Sequence, residues 1–167
     1  MGALRERLER LGLLRRDPSL SGTDAGLDAG PTPAALLRLC EAGLLEGGLG
    51  VASGVRPDEL FGPLCGLVGG RAREVKVADV RDRPVFELVI HFQGRDERWE
   101  LEGVEGLVHN LNDLLKDDPS ARAVAVLGEW QDALQLWCVE KKLLPRLWKE
   151  RFFAPRNASQ LRELSPS

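Results

Sequence analysis

One segment constrains this chain more than any other. From Val85 to Gln93, the apolar residues Phe86, Leu88, Ile90 and Phe92 alternate with Val85, Glu87, Val89, His91 and Gln93. A period of two places the first set on one side of a strand and the second on the other. Gly94-Arg95-Asp96 then reads as a hairpin turn, and Glu97 to Glu102 returns with Trp99 and Leu101 on one face. Upstream, Val75 and Val77 alternate with Glu74 and Lys76 before a turn at Arg81-Asp82-Arg83-Pro84. Three strands joined by such short connections imply an antiparallel meander.

The period changes after the third strand. Val104, Leu107, Val108, Leu111, Leu114 and Leu115 follow helical spacing, and Glu105, His109, Asn110, Asn112 and Asp113 occupy the opposite face. Ala121 to Leu127 reads as a strand, Gly128 to Asp132 as a hairpin loop, and Leu134, Leu136 and Cys138 as one face of a further strand. A last helix has Pro145 in its first turn and carries Leu147, Trp148, Arg151 and Phe152. Before the meander, Pro57 opens a helix that Gly62 and Pro63 should shorten or break.

The N-terminal third has a different texture. Leu4, Leu8 and Leu11 form a short amphipathic helix, residues 17–31 are a Gly/Pro/Ser/Asp-rich linker, and Thr32-Pro33 starts a second helix with Leu36, Leu37, Cys40 and Leu44 on its apolar face. The glycine-rich run Gly47 to Gly54 reads as flexible. The expected organisation is an extension over residues 1–56, an α+β domain over 57–153 and a polar tail over 154–167. That domain would hold one antiparallel five-stranded sheet in the order α-β-β-β-α-β-β-α, with helices mainly on one face.

Composition narrows the function classes. Hydrophobic residues make up 43% and charged residues 29% of 167, enough for a core and unlike a fibre or a disordered chain. No apolar run approaches the roughly 20 residues of a membrane helix, and the charged start lacks an apolar leader core. The net charge of −3 argues against a broadly basic nucleic-acid binder. Cys40, Cys65 and Cys138 are odd in number, lack metal-ligand spacing and sit among apolar neighbours. They read as buried free thiols in a reducing, cytoplasmic setting. Arginine far outnumbers lysine and tyrosine is missing, a bias associated with GC-rich bacterial genomes.

No motif carries a reaction. Ser53 lies outside a nucleophile elbow, and Gly47 to Gly54 fits neither a P-loop nor a dinucleotide fingerprint. A metal-dependent enzyme would have to be built from His91, Glu87 and His109, with Asp113 as a further ligand. Asp82, Glu87, Asp96 and Glu100 lack the lysine that nuclease carboxylates require. No catalytic residue, metal or cofactor is assigned. Lys141, Lys142, Arg146, Lys149 and Arg151 form a basic stripe beside Trp148 and Phe152, the basis of an alternative reading as a nucleic-acid-associated factor.

The tryptophans are more informative. Trp130 falls in a hairpin loop, where such a residue often anchors an interface. Trp137 projects away from Leu134, Leu136 and Cys138, toward the side of Val85, Val89 and His91. A semi-apolar sheet face of that kind needs a cover: the N-terminal helices, a second copy or a client protein. Over residues 57–153, the element order resembles that of type III secretion chaperones and YbjN-type bacterial proteins. The resemblance implies a non-enzymatic, often dimeric protein that binds another protein. The expectation is thus a cytoplasmic protein-binding module, chaperone-like or adaptor-like, that uses Trp130, Trp137, Val89 and His91 to hold a protein partner or a second copy.

Overall fold

The structure, a computed structural model, describes residues 8–14, 33–83, 85–147 and 162–164. It is an α+β protein whose described strands form two three-stranded antiparallel sheets, not one sheet of five. Contacts divide the chain into two units, Gly54–Val124 and the pair of segments Met1–Ser53 and Ala125–Ser167.

The continuous unit begins with helix α2 (Pro57–Val68), which follows α1 (Pro33–Glu41) in the chain. Pro57 takes the first helical position, where its missing N–H costs nothing. Glu59 Oε2 accepts the Arg56 backbone N–H at 3.3 Å. Contrary to the sequence expectation, Gly62 and Pro63 do not break the helix. Both are exposed, while Leu60, Phe61, Leu64, Cys65 and Val68 bury a continuous face. That burial outweighs the roughly 3 kcal/mol penalty of an internal proline.

A 3-10 turn (Gly70–Glu74) leads into β2 (Lys76–Arg83), β3 (Val85–Phe92) and β4 (Arg95–Leu101). These three form the expected meander, in the order β2-β3-β4. The β3–β4 turn is Gln93-Gly94, one residue earlier than the sequence reading, with φ of 52° and 76°. Two consecutive positive φ values are those of a type I′ turn, whose twist suits a two-residue hairpin. Leu88 and Ile90 on β3 and Trp99 and Leu101 on β4 are buried. The Phe61 and Trp99 rings meet at 6.4 Å with their planes tilted by 58°. Helix α3 (Val104–Leu114) follows as expected and buries Leu107, Val108 and Leu111.

The other unit contains α1, β1 (Gly48–Ala52), β5 (Ala123–Trp130), whose first two residues fall in the other unit's range, and β6 (Ala133–Val139). Its sheet order is β1-β6-β5. Here the sequence reading is corrected: the glycine-rich run is a strand, pairing Gly48 with Trp137, Gly50 with Gln135 and Val51 with Leu134. The glycines serve close approach. Gly47 has φ of 82°, its carbonyl accepts the Cys138 N–H at 2.8 Å, and a Cβ there would collide with the Cys138 carbonyl. A Cβ on Gly48 would meet Cys40 Sγ at 2.9 Å. The N-terminal segment is likewise part of this unit: Leu8 and Leu13 are buried, and Leu14 bridges to Leu45.

A further 3-10 turn (Lys141–Leu143) and the short helix α4 (Leu144–Leu147) close the description of this unit, apart from residues 162–164, which form one helical turn. Pro145 sits in the first turn of α4, as its residue type demands.

Candidate functional site

The expected sheet face does not exist as one surface. Val89 and His91 lie on β3, Trp137 lies on β6, and these strands belong to different sheets. Trp137 is fully buried. It sits on the central strand of its sheet, where Gln135 to Val139 are buried without exception. Its indole Nε1 donates to the Glu46 carbonyl at 3.0 Å. Trp137 is therefore a core residue, and a strand buried on both faces explains why its alternation misled. Trp130 ends β5 rather than sitting in a loop, and its side chain lies outside the described residues.

What remains exposed is the outer face of β2, β3 and β4. Register aligns Lys76 with His91 and Asp96, Asp79 with Val89 and Arg98, and Arg81 with Glu87 and Glu100. A bulge at Ala78 makes this alignment possible. Val77 pairs with Ile90 and Asp79 with Val89, so one extra residue re-phases β2 and turns Asp79 and Arg81 outward.

The charges on this face are mostly paired. Arg81 Nε lies 3.1 Å from Asp79 Oδ2, Arg98 Nε lies 3.0 Å from Glu87 Oε1, and His91 Nδ1 lies 2.7 Å from Asp96 Oδ1. Exposed pairs like these contribute little stability, about 0–1 kcal/mol each, and they set charges of both signs around the valines. Val85 keeps 44% of its surface exposed, and Val89 is half-buried between the pairs.

At one end of the face lies an open groove of about 740 Å³, lined by Arg71, Arg73, Glu74, Lys76, His91 and Gln93. The 3-10 turn supplies its two arginines. That turn is held from behind by Asp118, whose Oδ2 accepts the Arg71 backbone N–H at 2.8 Å. Asp118 Oδ1 also accepts from the Ser120 hydroxyl at 2.6 Å and from the Ser120 N–H at 3.0 Å. The Ser120 hydroxyl and the Arg71 amide hold the Asp118 carboxyl below the ordinary aspartate range. Gly70, at φ of 56°, lets the turn press against this loop, since a Cβ there would approach Ala121 N and Ser120 Oγ to 2.7 Å.

The other sequence candidates scatter. Lys141 and Lys142 sit in the 3-10 turn after β6, Lys142 pairs with Glu140 at 3.1 Å, and Arg146 is exposed on α4. Lys149 and Arg151 lie outside the described residues. Among the described residues, no three His, Cys, Asp or Glu side chains converge into a metal-binding group. His109 is exposed on α3, while His91 and Glu87 are each engaged with their own partner on the sheet.

All three cysteines are buried free thiols. Burial pushes Cys40 and Cys65 up to about 11, so neither is a thiolate at neutral pH. Cys40 Sγ instead donates to the Leu136 carbonyl at 3.3 Å.

Sequence reasoning assigned no role to Arg71 or Arg73, which fall in a 3-10 turn. It also missed Asn112, assigned to a solvated helix face. The Asn112 amide donates to the Val124 carbonyl at 2.9 Å and accepts the Val124 N–H at 2.9 Å. No protein-family description, no curated protein and no solved structure matches this chain.

Proposed function

We propose that this protein is a non-enzymatic binding module that docks a partner protein on the outer face of the β2-β3-β4 sheet. The observation that carries the reading is the presence of two valines, Val85 and Val89, on either side of Glu87 on an open sheet face among paired charges. An apolar centre with a polar rim is the ordinary anatomy of a protein interface, and the paired charges would set orientation more than affinity. His91 belongs to that frame of paired charges in this reading. Trp137 does not, and the role given to it passes to Val85.

The element-order resemblance to secretion chaperones contributes its expectation of self-association to this proposal. The described chemistry fits a binding role as well. Cys40 and Cys65 are held as protonated thiols, and His91 is engaged with Asp96.

Val89→Asp tests the proposal. It places a carboxylate at the centre of the face while the buried residues of β3 stay in place. The expected result is an unchanged circular-dichroism spectrum, with loss of a stoichiometric captured partner or of a dimer in sedimentation. Val85→Asp should act in the same direction. Partner capture or dimerisation that persists in both variants would sink the reading.

A further inference from the structure

We propose that the groove at the start of β2 binds a carboxylate-rich extended peptide segment. This rests on the reading of the protein as a binding module and names the chemistry one part of it selects. Arg71, Arg73 and Lys76 bring three cations to one groove whose lining holds one carboxylate, Glu74, with Asp118 beside Arg71 and Asp96 beside His91, in a chain whose net charge is −3. All six lining residues are exposed. Farther along the same sheet, Arg81 and Arg98 each hold a carboxylate within about 3 Å. Arg73 and Lys76 hold none among the described residues. Arg73 and Lys76, two cations without a carboxylate partner among the described residues, are the electrostatic complement of an anionic ligand.

The form of the anion follows from the surroundings. The groove's one ring, the His91 imidazole, is engaged by Asp96 at 2.7 Å, and no Phe, Tyr or Trp lines the groove as a larger stacking platform for a nucleic-acid base. Glu74 stands among the cations and disfavours a ligand of continuous negative charge, such as a phosphodiester backbone. A peptide can place its carboxylates at intervals. The order β2-β3-β4 leaves the outer edge of β2 unpaired among the described strands, and Lys76 opens that strand. An extended segment lying along β2 can form main-chain hydrogen bonds with the edge while its acidic side chains reach Arg73 and Lys76. The charges of β2 discourage pairing with strands that lack this complement.

Asp118 fixes the backbone of the 3-10 turn through the Arg71 N–H, which leaves less ordering to occur on binding.

Fluorescence anisotropy on the full chain tests the site, with a labelled peptide of alternating glutamate and valine, about ten residues long so as to match a strand. The expected result is saturable binding that weakens as salt rises. The double variant Arg73→Glu, Lys76→Glu should weaken it by about tenfold or more, and Arg73→Lys, Lys76→Arg should retain it. Lys116→Glu, an exposed charge reversal just after α3 and outside the groove lining, should leave peptide affinity within about twofold, while Val89→Asp is scored only by partner capture, so failure at the sheet face and failure at the groove are read separately. Absence of binding at low salt would overturn the proposal, as would equal affinity in the charge-reversed variant. Tighter binding of a single-stranded oligonucleotide through the same two residues would overturn it in favour of nucleic acid.

Discussion

Asn112 shows what a single residue can do that no periodicity announces. Its position on α3 follows the polar spacing of a solvated face, and its neighbours Glu105, His109 and Asp113 are indeed exposed. Its amide instead makes both hydrogen bonds that a paired strand residue would offer to Val124. Val124 is buried, so its N–H and C=O need partners from within the protein. Asn112→Ala leaves both groups without them. Each orphaned buried group costs about 1–3 kcal/mol, which places the expected loss near 3 kcal/mol, with Asn112→Asp restoring only the bond to the Val124 N–H. Urea denaturation checks this, and a loss under 1 kcal/mol would show that Val124 finds other partners. Trp137 teaches the same lesson in reverse. Alternation correctly set it opposite Leu136 and Cys138. Whether that opposite side is covered depends on residues distant in the chain, which spacing cannot reveal.

At the scale of elements, strands with one solvated face were easiest to read. β3 declares itself because one face is core and the other carries charge, so the sequence records both environments. β6 is buried on both faces and records only one. β1 was lost to its glycines, which read as flexibility until the close approach to Cys138 and Cys40 gives them a structural use. The Ala78 bulge also left no sequence mark, since an extra alanine within alternating residues changes register without changing composition. The second hairpin turn was legible in place but not in type. Gln131 and Asp132 have φ of 51° and 63°, again the type I′ pattern, although neither is the preferred glycine or asparagine. Asp132→Gly removes the Cβ strain of the left-handed conformation, offset in part by greater freedom in the unfolded chain. The net expectation is a gain of about 0.5 kcal/mol, read as a rise of roughly 1–2 °C in Tm. A fall in Tm would mean that the aspartate side chain supports the turn by some other route.

For the whole molecule, the order of the chain separates two kinds of contact. Within Gly54–Val124 the strands pair with their immediate neighbours in sequence, and the β3–β4 register closes at Phe92 with Arg95. The other unit is assembled from two segments, and its β1–β6 register joins Gly48 to Trp137 across the entire intervening unit. This is also why the meander and α3 could be read from local pattern while β1 and the burial of Trp137 could not: the information for the first is adjacent, and for the second it lies on the far side of the chain. The same difference has a kinetic consequence. Closing a long loop costs more conformational entropy than closing a hairpin, and that cost precedes any reward from β1–β6 contacts. Hairpins form in microseconds, whereas distant pairing waits for the ends to meet. Pulsed hydrogen exchange during refolding should therefore protect amides of β3 and β4 before those of β1. Gly47→Ala, which forces a side chain against the Cys138 carbonyl, should speed unfolding of the β1–β6 pair and leave early protection of the meander unchanged. Protection of β1 at the same time as the meander would show that the two segments are already together in the unfolded ensemble, and that chain order does not set the order of assembly.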